Sequence, residues 1–93
     1  MDSRERLYYW LLTATKGGPT RLRLLALLER RPMNARQLSL AAGLDYKTVQ
    51  HHLDRLYENG LIEVQGSGYG KAYFASDEFE AKKGFIEKIT SRG

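Results

Sequence analysis

The chain has 93 residues, a formal net charge of +4 and no cysteine. This length predicts a single domain, and a hydrophobic content of 42% predicts a folded protein rather than a disordered one. The lack of cysteine excludes disulfide cross-links and thiolate metal sites. The apolar segments 7–14 and 22–28 are too short to cross a bilayer and no signal peptide precedes them. We therefore expect a cytoplasmic protein (nucleoid-associated if its source is prokaryotic) with no membrane partner.

The positive charge is concentrated in the middle of the chain. Residues 16–56 carry eight Lys or Arg side chains against three Asp or Glu, a net charge of +5, whereas residues 57–93 carry five bases and six acids. A basic stretch attracts the phosphate backbone of nucleic acids, although an Arg-rich solvated surface would have the same composition. Charge alone therefore does not decide between these two interpretations.

The first 31 residues predict two helices separated by a break. In the first helix, residues 3–15, apolar side chains recur at helical spacing, and Ser3 is the expected cap with Arg6 three residues later. Residues 16–18 include two glycines, which suit the end of that helix. The second helix, Pro19–Arg31, is apolar nearly all round, which is typical of a buried central helix.

Residues 35–60 predict two short helices joined by a tight turn. Asn34 is the expected cap of the third helix, Ala35–Ala42, and Gly43 supplies the left-handed residue that ends it. In that helix the residues expected to face inward are Leu38, Ala41 and Ala42. The fourth helix follows the cap Asp45 and runs to residue 59; its expected inner face consists of Val49, Leu53, Leu56 and Tyr57. Polar side chains occupy its outer face, as in a helix-turn-helix whose second helix enters the DNA major groove.

The last third of the chain predicts a β-hairpin and a final helix. Two short β-prone runs, residues 61–64 and 71–75, flank a glycine-dense turn at 65–70. A hairpin that follows a recognition helix is called a wing. Ser76 or Asp77 is the expected cap of a final helix, Glu78–Thr90. The predicted fold is mainly α with a small β-hairpin wing: a winged helix-turn-helix with extra N- and C-terminal helices (1–15 and 77–91), forming a single domain, residues 1–93.

Three segments resemble the arsenic-repressor-like (ArsR) family of regulators. Residues 20–25, TRLRLL, resemble the opening helix of that family. Residues 44–56, LDYKTVQHHLDRL, followed by Asn59-Gly60-Leu61-Ile62, resemble its recognition helix and the entry to its wing, and Tyr73 stands where the family has a wing-strand tyrosine. The similarity covers roughly residues 20–76, and related winged helices such as the MarR-like regulators share part of it. The resemblance implies DNA binding and dimerisation.

The sequence departs from the metal-sensing members of that family. Their Cys-x-Cys motif falls near Asn34 and Arg36 here, and no histidine follows His52. His51 and His52 are adjacent in a helix and point about 100° apart, so they cannot share one metal ion. Motifs of hydrolases and of phosphate-cradling loops are also missing from the sequence. We therefore expect no metal, no cofactor, no catalytic residues and no enzymatic activity.

The predicted DNA-binding residues lie on the fourth helix, at the start of the third helix and on the wing. Basic and histidine side chains can bond guanine acceptors, Gln50 can read adenine, and Thr48 can meet a thymine methyl group or a phosphate. Arg36 and Tyr46 are expected at the DNA backbone. The full set is Arg36, Tyr46, Lys47, Thr48, Gln50, His51, Arg55, Tyr69 and Lys71. Two alternatives stay open: Tyr46 could pack on Leu38, and Arg55 could pair with Glu58.

The end helices carry more apolar surface than a small domain needs for its own core. The predicted dimer interface consists of Leu7, Tyr8, Leu11, Leu12, Phe79, Phe85, Ile86 and Ile89. The alternative is that all of these side chains belong to the core of one chain. Partners are thus expected to be double-stranded DNA and a second copy in a homodimer.

The predicted function is that of a sequence-specific, double-stranded-DNA-binding transcriptional regulator. Recognition helix 45–59 would lie in the major groove, and wing 65–71 on the flanking backbone or in the minor groove. The alternative is a winged-helix protein-interaction module or a non-specific chromatin-type DNA binder. Asp54 and Glu58 on the outer face of the recognition helix motivate that alternative.

Overall fold

The computed structural model describes residues 1–91, apart from the side chain of Tyr69. Within this range the fold comprises six α-helices and one antiparallel hairpin, so the predicted winged helix-turn-helix is confirmed. The elements are α1 (Ser3–Tyr9), a π-helical segment that continues it (Trp10–Ala14), α2 (Gly18–Arg30), α3 (Ala35–Ala42), α4 (Tyr46–Glu58), β1 (Ile62–Gln65), a short 3₁₀ turn (Gly68–Gly70), β2 (Ala72–Ala75), α5 (Asp77–Ala81) and α6 (Lys83–Thr90). Between residues 1 and 91, no helix is long and apolar enough to span a membrane.

The N-terminal caps explain where two of the helices begin. The predicted cap of α1 is wrong: Asp2, not Ser3, accepts the N–H of Glu5 at 2.7 Å, and the Glu5 carboxylate accepts the N–H of Asp2 at 3.2 Å. This reciprocal arrangement needs an acceptor side chain three residues after the cap, which Glu5 provides and Arg6 cannot. The predicted cap Asn34 of α3 is confirmed, and Gln37 completes the same reciprocal pair.

The predicted final helix is two helices, α5 and α6, which meet at Lys82. Ser76 is the cap: its hydroxyl accepts the N–H of Phe79 at 3.0 Å and donates to the carbonyl of Gly60 at 2.6 Å. The Lys82 ammonium pairs with Asp2 at 3.2 Å and Glu5 at 3.1 Å. The junction between α5 and α6 is therefore held against the start of α1.

One hydrophobic core is shared by the helix-turn-helix and the end helices. It includes Tyr8 of α1, Leu24 and Leu25 of α2, Leu53 of α4 and Ile86 of α6. Two predicted inward residues are wrong. Ala41 is exposed and Tyr57 is 53% exposed. The buried stripe of α4 is Val49, His52, Leu53 and Leu56, and residue 57 lies about 100° round the helix from Leu56, outside that stripe.

Strand β2 of the wing is attached to the segment before α3. Strands β1 and β2 pair with Ile62 opposite Ala75 and Gln65 opposite Ala72. Met33 adds a single bridge to this hairpin: its N–H donates to the Tyr73 carbonyl at 3.1 Å, and the Tyr73 N–H donates to the Met33 carbonyl at 2.7 Å. Strand β2 thus lies beside the start of α3.

Candidate nucleic-acid interface

The turn between α3 and α4 sets the direction of the recognition helix. Gly43 has a positive φ of 69°, as predicted, which lets the chain leave α3 without steric strain. Asp45 then caps α4 by accepting the N–H of Thr48 at 3.1 Å and its hydroxyl at 2.6 Å. These hydrogen bonds from Thr48 lower the pKa of the Asp45 carboxyl. Because the Thr48 hydroxyl donates to Asp45, only its acceptor lone pairs and methyl group remain for DNA.

The outer face of α4 is open over its first three turns. Lys47, His51 and Arg55 are exposed, and Tyr46 is 48% exposed. Arg36 is exposed in the first turn of α3. The ion pairs within residues 1–91 do not join Arg55 to Glu58.

Four of the predicted DNA-binding residues converge where α3, α4 and the wing meet. They border a pocket of about 150 Å³ lined by Asn34, Ala35, Arg36, Tyr46, Gln50, Gly68, Lys71 and Tyr73. The Lys71 ammonium lies 5.9 Å from the centroid of the Tyr73 ring. Tyr69 was also predicted to contact DNA, but its side chain lies outside the part of the structure that is described.

Gln50 is the most constrained side chain of the predicted set. Its amide nitrogen donates to the Asp54 carboxylate at 3.0 Å and to the Tyr73 hydroxyl at 3.3 Å. Sequence reasoning missed both partners. The spacing of Gln50 and Asp54, four residues apart in a helix, could have indicated the first contact. The second crosses from α4 to the wing and has no local sequence pattern.

The inner side of α4 is attached to the segment that follows α1 through a buried arginine. Arg21 is 5% exposed, so it does not belong to the basic surface that its sequence position suggested. Its guanidinium donates to the Leu11 carbonyl at 3.1 and 2.9 Å, to the Thr15 hydroxyl, and to Nδ1 of His52 at 3.1 Å. His52 is 8% exposed and lies at the edge of the core. Since Nδ1 accepts from an arginine, the His52 proton is on Nε2.

The His52 environment predicts a stability that falls at mildly acidic pH. Burial lowers the pKa of His52, and the charges of Arg21 and His51 lower it further. The unfolded chain takes up this proton below about pH 6.5, while folded His52 resists it to lower pH. The contribution of neutral His52 to the free energy of unfolding is therefore complete above about pH 6.5. It is lost as the pH falls toward the pKa of His52 in the folded protein. We expect the free energy of unfolding, measured with urea, to be smaller at about pH 5.5 than at about pH 7.5.

The matched variants for this prediction are His52→Gln and His51→Gln. His52→Gln should flatten the pH profile because glutamine takes up no proton, while His51→Gln, at an exposed position, should leave the profile close to that of the parent. Parallel profiles for the parent and His52→Gln would contradict the assignment to His52.

The predicted dimer interface needs correction at five of its eight residues. Tyr8, Leu11, Leu12, Phe79 and Ile86 are each at most 4% exposed, so their side chains fill the core of the same chain and are not free for a second copy. Tyr8 also donates its hydroxyl to Glu78, which pairs with Arg4 at 2.7 Å. The remaining three, Leu7, Phe85 and Ile89, are half-buried.

A surface groove contains two of those three residues. It has a volume of about 670 Å³, lies between α6 and the α1–π-helical segment, and is lined by Met1, Glu5, Tyr9, Thr13, Phe85, Lys88 and Ile89. Tyr9 is 45% exposed, and the neighbouring Trp10 is 51% exposed. The predicted dimer interface did not include these two aromatic residues. Tyr9 lies outside the apolar stripes of the first helix, whereas Trp10 belongs to the apolar face expected there and is nevertheless exposed.

No metal centre is apparent within residues 1–91, where no three His, Cys, Asp or Glu side chains are grouped to hold an ion. The rings of His51 and His52 have centroids 5.3 Å apart and planes inclined by 60°. The first faces solvent and the second faces Arg21. The expected lack of a metal cofactor stays a prediction.

Comparison with known proteins agrees with this geometry. The model of the bacterial regulatory protein, arsR family, matches residues 18–64. None of the curated proteins compared matches the chain significantly. Among solved structures, the homodimeric winged helix-turn-helix DNA-binding domain Mb0332 of Mycobacterium bovis, a possible ArsR-family regulator, has 21% identity and a TM-score of 0.72 over 94% of this chain and 78% of that one.

Two further structures have the same fold. NolR from Sinorhizobium fredii has 21% identity and a TM-score of 0.71, with 98% of this chain and 89% of that one covered. A predicted DNA-binding transcriptional regulator from E. coli has 27% identity and a TM-score of 0.68, with 96% and 90% covered. The family and the fold are those of transcription regulators rather than enzymes. The family match spans α2 through β1, which includes the whole helix-turn-helix, and the chain therefore belongs to the ArsR family of bacterial regulatory proteins and is a DNA-binding transcriptional regulator.

Proposed function

We propose that the protein reads specific sites in double-stranded DNA as a homodimer, with α4 in the major groove and the wing on the flanking backbone or minor groove. The observation that carries the proposal is the open N-terminal face of α4, where Lys47 and His51 are exposed above a buried stripe. The N-terminal residues of a recognition helix are the ones that reach base edges. Because α1 and α6 share the core of the helix-turn-helix, we regard residues 1–93 as one domain.

The side chains around this face divide into base-reading and backbone-contacting groups. Lys47, His51 and Arg55 can donate to guanine O6 and N7. Arg36 on α3 and Lys71 on the wing flank α4 on the same side of the molecule, where they can contact phosphates. Asp54 and Glu58 lie further along α4 and limit the surface that DNA can approach. A regulator of this kind acts where the chromosome is, which supports the expected cytoplasmic location.

Selection from a random duplex pool tests the proposal. We expect an enriched motif. The logarithm of the binding constant for that motif should fall linearly with the logarithm of the salt concentration. Lys47→Ala should weaken binding to the selected site about tenfold and relax the preference at one position, because a base contact is lost. Arg36→Ala should weaken selected and unrelated duplexes alike, because a phosphate contact carries no sequence information.

Arg6→Ala on α1 is the control, since it removes the same charge at an exposed position outside the proposed DNA face. Its affinity should stay close to that of the parent. Binding without an enriched motif would favour the non-specific alternative. No binding to any duplex would leave a protein-interaction module as the better description.

We further propose that a second copy covers the groove between α6 and the α1–π-helical segment. Apolar side chains of Tyr9, Phe85 and Ile89 line this groove, and exposed aromatic residues of this kind are typical of interfaces. The related Mycobacterium bovis domain is homodimeric. A two-fold dimer would place two recognition helices about 34 Å apart on successive turns of a near-palindromic site.

Analytical ultracentrifugation tests the dimer. The parent should sediment as a dimer and Tyr9→Glu as a monomer, because a second copy that covers the groove would have to desolvate the introduced carboxylate. Tyr57→Glu is the matched control, since Tyr57 is as exposed as Tyr9 but lies on α4, and it should remain dimeric. A parent protein that stays monomeric, or a Tyr9→Glu variant that dimerises as well as the parent, would contradict the proposed interface.

A further inference from the structure

The amide group of Gln50 has both of its hydrogens engaged inside the protein. A glutamine nitrogen carries two N–H donors, and here one points to Asp54 Oδ1 at 3.0 Å and the other to the Tyr73 hydroxyl at 3.3 Å. Among the described side chains, which do not include that of Tyr69, none donates a hydrogen bond to the Oε1 atom of Gln50. The side chain therefore offers DNA an acceptor only.

The orientation of this amide is fixed by the chemistry of Asp54. An ionised carboxylate only accepts hydrogen bonds. Turning the amide over would place Oε1 of Gln50 against Oδ1 of Asp54 at the same separation, with two acceptors facing each other and no proton between them. The nitrogen must therefore face Asp54, and the oxygen must face away from it.

The Tyr73 hydroxyl, which accepts the second N–H of Gln50, has a fixed position. Tyr73 is 4% exposed, and its backbone exchanges two hydrogen bonds with Met33, so its ring cannot follow a moving side chain. Gln50 itself lines the pocket between α3, α4 and the wing together with Arg36, Tyr46 and Lys71. The constrained amide is thus located among the side chains proposed to contact DNA.

We propose that Gln50 is a specificity-determining residue that accepts a hydrogen bond from the exocyclic amine of adenine (N6) or cytosine (N4), and that Asp54 and Tyr73 are its positioning residues. This inference rests on the proposed function, in which α4 lies in the major groove. It differs from the usual pairing of a free glutamine, which donates to adenine N7 while it accepts from N6. The sequence-based expectation that Gln50 can read adenine stays a prediction, and the proposed acceptor contact to N6 is one way to meet it.

In the proposed arrangement Asp54 orients Gln50 from a surface that would face phosphates. An acidic residue there weakens attraction to the DNA backbone, which is a cost in affinity. In return, it removes the freedom of Gln50 to present either end of its amide. A side chain already held in its binding orientation loses less conformational entropy when DNA arrives.

Base analogues in the selected duplex test the inference. Selection with Gln50→Ala first identifies the base pair whose preference is lost. In that pair the amine is then deleted, with purine for adenine or 2-pyrimidinone for cytosine, and separately the purine N7 is deleted with the 7-deaza base. The parent should lose about tenfold in affinity when the amine is deleted and should change within about twofold when N7 is deleted.

Tyr73→Phe is the decisive variant, because it keeps the buried ring and removes only the hydroxyl that holds one N–H. The freed N–H can then donate to N7, so this variant should become sensitive to the 7-deaza base. Asp54→Ala frees the other N–H at an exposed position and should acquire the same sensitivity, which keeps the test valid if Tyr73→Phe folds poorly. Tyr57→Phe, at an exposed tyrosine of α4, should behave like the parent.

The outcomes separate the inference from the proposed function. A parent that loses as much affinity on N7 deletion as on amine deletion reads its base in the bidentate way, which overturns the inference alone. The same holds if a motif is enriched but Gln50→Ala changes no position in it. If no motif is enriched at all, sequence-specific reading fails, and the inference fails with it.

Discussion

Gly18→Ala should destabilise the protein by about 3 kcal/mol and lower its melting temperature by roughly 10–20 °C. Gly18 is the first residue of α2 and is buried against the π-helical segment. A Cβ atom built there would collide with the Leu12 carbonyl and would lie 2.7 Å from its carbon atom. The atoms in the way belong to the backbone, so no side-chain rotation can relieve the overlap.

Gly84→Ala is the matched control for this prediction. Gly84 lies within α6, and no heavy atom is within 4 Å of a Cβ built there. Alanine is the better helix former, so this variant should gain about 0.5–1 kcal/mol. Thermal unfolding followed by circular dichroism measures both changes. Equal melting temperatures for the two variants would contradict the close approach at Gly18.

Arg21→Ala should cost about 2–4 kcal/mol in the free energy of unfolding. The guanidinium is the donor to the Leu11 carbonyl, the Thr15 hydroxyl and His52 Nδ1, and alanine would remove all of these hydrogen bonds. The Leu11 carbonyl would keep the Thr15 hydroxyl as a donor, but Nδ1 of the buried His52 would lose the donor that Arg21 supplies. Part of the loss is offset because burial desolvates the guanidinium, which lowers the pKa of Arg21, with the charge of Arg55 lowering it further. The free energy lost with these hydrogen bonds is larger than the free energy regained when no guanidinium has to be desolvated.

Arg23→Ala controls for the loss of one positive charge from α2. Arg23 is exposed two residues further along the same helix, and its replacement should change stability by less than about 0.5 kcal/mol. Urea unfolding above pH 7, where His52 is neutral in both states, gives the comparison. If the two variants were equally stable, the buried network would contribute nothing measurable.

Most elements of the fold could be predicted because they are encoded locally. Asn34 and Asp45 are residues that cap helices, Gly43 is the residue that a left-handed helix end requires, and the apolar spacing of α4 defines its buried side. The order of these elements then specifies a winged helix-turn-helix. Such patterns involve residues within one turn of helix or one hairpin, so they can be recognised in the sequence without knowledge of the tertiary structure.

The contacts that tie these elements together could not be predicted in the same way. Arg21 meets the Leu11 carbonyl and His52 only after three segments have packed, and Gln50 meets Tyr73 across 23 residues of chain. Five of the eight predicted dimer residues are buried in the core of the chain for a related reason. Apolar periodicity shows which side of a helix avoids water, but it does not show whether that side is covered by the same chain, as for Leu11, or by another.

Gly17 and Gly18, at the start of α2, also have a structural role that the local sequence does not reveal. Gly17 and Gly18 were understood as the end of the first helix, a role that other small residues could share. Their packing is more demanding: a Cβ on Gly17 would lie 2.6 Å from the guanidinium of Arg21 and 2.8 Å from the ring of His52. A steric requirement set by a distant helix is not visible in the local sequence.

The π-helical segment Trp10–Ala14 determines the direction in which the side chains of α1 point around the helix axis. A π-helical turn closes over one residue more than an α-helical turn, so it changes the azimuth of everything on its N-terminal side. Each residue of an α-helix corresponds to about 100° of rotation, and a segment one residue shorter would therefore turn Tyr9 away from Phe85 and Ile89. Since the proposed pairing of two copies uses that side of the helix, the angle between their two recognition helices depends on this segment. The half-site spacing of an operator would then be determined partly by a piece of backbone outside the proposed DNA-binding face.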